Sequence, residues 1–154
     1  MKVFISYSTP NLSIVEELAN RIRPFAEVYY WAHSNLPGQE SWPAIFNWID
    51  SSDLVIALIT DNTVRRAMAV GQELGRAKTQ RKTIVPIVSQ HVPSSELGFL
   101  TGVTYQPIDV TNPQPAIDEV SQVIHSYKLD QEQTQKQLLV LLIVVAAIIL
   151  LSGR

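Results

Sequence analysis

Apolar residues arrive along this chain in short blocks that switch between two patterns. Leu54-Val-Ile-Ala-Leu-Ile59 and Thr83-Ile-Val-Pro-Ile-Val88 are continuous, with no polar alternation. Strands of that kind are buried on both faces, which suits the middle of a parallel sheet. Other blocks recur at helical spacing. Over Leu12–Arg23, Ile14, Val15, Leu18, Ala19 and Ile22 share a face that Glu16, Glu17, Asn20 and Arg21 oppose. Pro24 ends that helix, and Asn11 or Ser13 is its expected N-cap. Read this way, the chain predicts strands at Lys2–Ser6, Glu27–Tyr30, 54–59, 83–88 and Val103–Ile108. It predicts helices at 12–23, at Trp42–Ser51 with Trp42, Ile45, Phe46 and Ile49 inward, and from Val64 to Lys78. A last helix runs from about Asn112 to Tyr127 with Ile117, Val120, Val123 and Ile124 buried. Pro86 lacks an amide donor, so one side of its strand is expected to be an edge or a bulge.

Strands and helices alternate with short connections. That order predicts an α/β, flavodoxin-like, doubly wound five-stranded parallel sheet with helices on both faces, plus a C-terminal hydrophobic helix. One connection is long. Trp31 to Ser41 has no periodicity and holds the turn pair Pro37-Gly38, so it reads as a surface loop of the kind that carries function. The domain is expected over residues 1–128. Residues 129–137, LDQEQTQKQ, read as a polar spacer, helical or flexible.

Residues 138–151, LLVLLIVVAAIILL, are apolar without a break. As a helix they span about 21 Å against roughly 30 Å of bilayer hydrocarbon. They have no polar face, which rules out a helix lying in the interface. The expectation is a single C-terminal membrane anchor that spans by local thinning or association, with the domain in the cytoplasm. A helix packed in an oligomer is the alternative.

Composition narrows the chemistry. The formal net charge is −2 and no basic stripe exists, so nucleic acid is not expected as a partner. Cysteine is absent, which excludes disulfides, thiolate metal sites and a thiol nucleophile. His33, His91 and His125 lie far apart, and no metal site is expected. The N-terminus opens on a strand, so a signal peptide is not expected. Glycine-rich phosphate loops and a nucleophile elbow are missing. What remains is one acid, Glu73, on the otherwise acid-free run from Val64 to Lys78. It follows the carboxyl end of a central strand, where open parallel sheets bind ligands.

Val3-Phe-Ile-Ser-Tyr7, the Pro37-Gly38 loop followed by Trp42, Asp53-Leu-Val-Ile56, Glu73-Leu74 with Ala77, and Ile84-Val-Pro-Ile87 stand in an order and spacing that resemble a TIR (Toll/interleukin-1 receptor) domain over about residues 1–128. The resemblance implies cleavage of NAD⁺ at the nicotinamide–ribose bond, in signalling or antiviral defence, with Glu73 as the essential acid. NAD⁺ is then the substrate and no cofactor is implied. The resemblance places substrate-binding residues at Ser8 and Thr9, and along the loop at Trp31, Pro37, Gly38 and Trp42. It also implies self-association through TIR domains. Two positions depart from the pattern: Ala69 stands where an aromatic residue is frequent, and Trp31 where an acid is frequent. The alternative is a non-catalytic adaptor that recruits partners through the Pro37-Gly38 loop. An adaptor is expected to hold Glu73 in a salt bridge or in open water; an enzyme is expected to hold it in a cleft.

Overall fold

The computed structural model describes residues 1–32, 41–60, 67–100 and 102–152; side chains at 9, 67–70, 99 and 141–152 are outside that description. Five strands form one parallel sheet: β1 (Lys2–Ser6), β2 (Glu27–Tyr29), β3 (Leu54–Ile59), β4 (Thr83–Ser89) and β5 (Gln106–Ile108). Their spatial order is β2-β1-β3-β4-β5. The helices are α1 (Leu12–Ile22), α2 (Ser41–Ser51), α3 (Ala67–Thr79) and α4 (Gln114–Ser152).

The unbroken apolar strands follow from two cores. Val3, Ile5, Leu54, Ile56 and Leu58 point to one face and pack with Ile14, Leu18 and Ile22 of α1 and Ile117, Val120 and Ile124 of α4. Phe4, Val55, Ala57 and Ile59 point to the other, with Ile45 and Ile49 of α2 and Leu74 and Ala77 of α3. Alternate residues of β3 therefore feed opposite cores, and a polar residue at any of its six positions would be buried without water. Asp53 fixes the start of β3. Its Oδ2 accepts from the Lys2 amide at 2.7 Å, and its own amide donates to the Lys2 carbonyl at 2.8 Å.

Pro86 sits opposite Ala57 of β3, one residue before β5 begins to pair at Ile87. At the proline β4 is thus an edge on its far side, as its missing donor requires. The last strand is shorter than its apolar run, since Val103 and Tyr105 are exposed and pairing starts at Gln106.

In α2 the inward aromatic is Trp48 rather than Trp42. Trp42, in the first turn, is 36% exposed, while Trp48 packs on Phe4, Tyr29 and Trp31. Val123, expected in the core, is 54% exposed, because α4 turns inward the stripe of Ala116, Ile117, Val120, Ser121 and Ile124. Helix α4 also does not stop near Tyr127. It continues as one helix of 39 residues to Ser152, through the segments expected as spacer and anchor. Among the described residues no helix is long and apolar enough to cross a membrane, so the anchor expected at 138–151 finds no support in the structure.

Candidate active site

In an open sheet of order 2-1-3-4-5, the chain leaves β1 toward one side and β3 toward the other. The crevice this opens outside the carboxyl ends of β1 and β3 is where ligands bind in such folds. Ser6 closes β1 at that end, in register with Ala57 of β3. Tyr7 and Ser8 follow it directly. Glu73 lies on α3, the helix that follows β3.

Glu73 faces inward. Burial raises its pKa from 4.5 to about 7, and the nearby Ser6 hydroxyl offsets part of that rise. The two groups approach without a full hydrogen bond, because Ser6 Oγ and Glu73 Oε2 are both buried with no partner. Ser8 Oγ, two residues on, is buried and unpartnered as well. Among the described residues no cation pairs with Glu73. Buried polar groups without partners are unusual, since such groups are nearly always hydrogen-bonded, and two of these three face each other. Each costs free energy in this state, and each is a point at which a polyhydroxylated ligand can bond.

Tyr7 completes the inner wall. Its phenol is pushed up to about 12 by burial first, then by Tyr30 and by the negative charges of Glu16 and Glu73. It stays protonated and donates to the backbone carbonyl of Trp31. The Trp31 ring in turn rests against Trp48 at 5.9 Å. Asn11 Nδ2 donates to Thr60 Oγ1 at 2.7 Å, in the interior, at the exit of β3.

The structure therefore brings Glu73 together with Ser6, and Ser8 and Trp31 stand on the segments that adjoin them. Trp42 packs on Phe46 at 5.5 Å, and the Arg76 guanidinium lies over the Phe46 ring. The side chain of Thr9, and Pro37 and Gly38, lie outside the described residues, as does the side chain of Ala69. Ser6, Tyr7 and Asn11 were not singled out as site residues from the sequence. The signal for Ser6 was present: it is a polar residue following the apolar run Val3-Phe-Ile5, at a position where alternation puts it on the same face as Phe4. An open groove of about 570 Å³ lies between α4 and β5, lined among others by Gln106, Glu119 and Asp130. It includes Tyr127, whose hydroxyl meets Thr83 at the start of β4, so it belongs to the opposite end of the sheet from Glu73.

The family model described as TIR domain matches residues 3–124. No curated protein matches the chain. Among solved structures, it is similar to the TIR domains of the activated Roq1 resistosome recognising the pathogen effector XopQ, at 12% identity and TM-score 0.63. That match covers 80% of this chain and 98% of the other. It is also similar to BcmB, a CMP N-glycosidase of Clostridium botulinum, at 15% identity, TM-score 0.58, and 79% and 99% coverage. A third similar structure is the 2-deoxyribosyltransferase of Bacillus psychrosaccharolyticus, at 16% identity, TM-score 0.54, and 73% and 89% coverage. At these identities the likeness is one of fold.

Proposed function

The chain belongs to the TIR domain family, and on that premise we propose that it cleaves NAD⁺ at the nicotinamide–ribose bond, with Glu73 as the essential carboxylate. The observation that carries this reading is Glu73, buried, with one carboxyl oxygen unpartnered and the unpartnered Ser6 hydroxyl close by at the carboxyl end of β1. A ribose presents adjacent hydroxyls that satisfy such a set. Of the similar structures, one is a CMP N-glycosidase and another a 2-deoxyribosyltransferase used in nucleoside synthesis, which supports chemistry at a ribosyl centre here.

The chemistry suits one acid. When the C1′–N bond breaks, its electron pair moves to the pyridinium nitrogen and nicotinamide leaves neutral. No strong general acid is needed. The ribose is left oxocarbenium-like, as in glycoside hydrolysis. An ionised carboxylate held in a poorly solvated place stabilises that charge more than one in water does. Water then adds at C1′ and loses a proton. Trp31, on its Trp48 backing, offers an aromatic face near the site for a base or nicotinamide ring.

A non-catalytic adaptor is the second reading, and the departures at Ala69 and Trp31 favour it. It has no use for a buried carboxylate of raised pKa, and this favours the enzyme. The test is nicotinamide release from NAD⁺ at high protein density, wild type beside Glu73→Ala, with the co-product identified as linear or cyclic ADP-ribose. Release lost in the variant supports the glycosidase; no release from folded wild type puts the adaptor first.

The working form of Glu73 is the ionised one, so kcat is expected to rise with pH across about 7 and level off above 8. A profile of kcat from pH 5 to 9 checks this, and a flat line between 6 and 8 would remove Glu73 ionisation from the slow step. Self-association and placement at a membrane through 138–151 belong to the same proposal, and their support is the family and the sequence alone. The full chain is expected in the membrane pellet, released by detergent, and a chain ending at 137 in the supernatant. Equal distribution of the two would end the anchor.

A further inference from the structure

We infer that the segment leaving β1 is a two-sided clasp that fixes the walls of the Glu73 site, with Tyr7 and Asn11 as its positioning residues; this rests on the glycosidase reading above. The bonds run in opposite directions across the sheet. Tyr7 reaches one way, to the carbonyl of Trp31, two residues past the end of β2. Asn11 reaches the other way, to Thr60, the residue directly after β3. Ser8 lies between the two ties in the chain, and Ser6, the neighbour of Glu73, directly precedes Tyr7.

Neither bond serves local structure. Asn11 stands at the N-cap position of α1 but makes no side-chain cap bond. Capping is the usual use of asparagine there. Here its amide is spent on a partner 49 residues away, and both groups are buried. Tyr7 bonds across 24 residues and sets its ring edge-on against Tyr30 at 6.2 Å. Because the phenol stays protonated, it donates throughout the neutral range. Trp31 then has two restraints, its carbonyl held by Tyr7 and its ring by Trp48. The segment carrying the unpartnered hydroxyls thus also sets the distance to each neighbouring exit. Positional errors of about 1 Å at a reacting centre are enough to cost on the order of 100-fold in rate.

The experiment pairs kinetics with hydrogen exchange on three proteins: wild type, Tyr7→Phe and Thr60→Val, with Thr60→Ser as the conservative control that keeps the accepting oxygen. Tyr7→Phe is expected to lower kcat for nicotinamide release about 10-fold with KM changed less than about 3-fold. It should also speed exchange of the peptide carrying Tyr30–Ala32 and leave that of β3 unchanged. Thr60→Val is expected to lower kcat similarly and speed exchange at the β1 exit, and Thr60→Ser to restore both. A Tyr7→Phe enzyme with unchanged kcat, or with KM alone raised, overturns the positioning role. If wild type releases no nicotinamide, the glycosidase reading has failed by itself. Exchange then still decides the clasp: local acceleration in each variant supports it, and unchanged or globally faster exchange ends it.

Discussion

Glu73→Gln is expected to cut nicotinamide release by about 10²–10³-fold and, at pH 8, to make the protein more stable than wild type. The two effects share one cause. In the unfolded chain this carboxyl titrates near 4.5; in the fold, burial holds it near 7. Below about pH 4.5 it is protonated in both states and contributes no pH dependence. Between 4.5 and 7 the unfolded chain gives up its proton while the folded one keeps it, so stability falls as pH rises through that window. Above 7 the whole cost of an ionised, buried carboxylate is present, about 3 kcal/mol from the size of the shift. Glutamine has the same shape and no charge, and burying its amide returns roughly 1 kcal/mol of that gain. The net expectation is a variant about 2 kcal/mol more stable than wild type at pH 8 and about 1 kcal/mol less stable at pH 4. Thermal unfolding of both proteins at both pH values checks it. Parallel pH dependence in the two proteins would show that Glu73 is not the source.

Trp48→Ala is expected to destabilise the domain by about 3 kcal/mol, the low end for a large aromatic because the ring is half-buried. Trp48 is the point where three elements meet. It stacks on Tyr29 of β2 at 5.9 Å and 20°, sits 6.5 Å from Phe4 of β1, and backs Trp31 at 5.9 Å. Truncation removes all three contacts and opens a gap that α2 has no second aromatic placed to fill, since Trp42 faces outward. Domains of this kind hold roughly 5–15 kcal/mol in all, so the loss is a large share. Activity is expected to fall further than the unfolded fraction explains, because Trp31 loses its support. Urea unfolding followed by circular dichroism gives the stability. A midpoint within error of wild type would mean that the contacts carry no net energy.

The central architecture was legible because burial on both faces leaves no room for polar residues. The run from Leu54 to Ile59 reads as a strand from its composition alone, and β3 has those same bounds. Helix α1 was legible because one of its faces meets the sheet and the other meets water, so its pattern is clean. Helix α2 was misread by one step. Its apolar residues fill more than one face, and periodicity cannot say whether Trp42 or Trp48 turns inward. The sheet decides, since only Trp48 is far enough along the helix to reach Phe4 and Tyr29. Glu73 was visible as the lone acid on its helix, but its burial was not. Least legible were the bonds Tyr7–Trp31 and Asn11–Thr60, which join residues distant in sequence. Asn11 carried a plausible local role that the fold does not use.

The continuity of α4 has a mechanical consequence. From Ala116 to Ser152 there is no proline or glycine, and the helix does not bend its way out of the domain through a hinge. Its first turns are gripped by both α1 and the sheet. A helix advances about 1.5 Å and turns about 100° per residue, so 39 residues make a rod of roughly 58 Å. The azimuth of its far end is therefore tied to the azimuth of the Glu73 crevice. Whatever takes hold of that end sets the compass bearing of the whole domain. Removing one residue between 133 and 137 would leave the grip on the first turns in place and turn the bearing by about 100°.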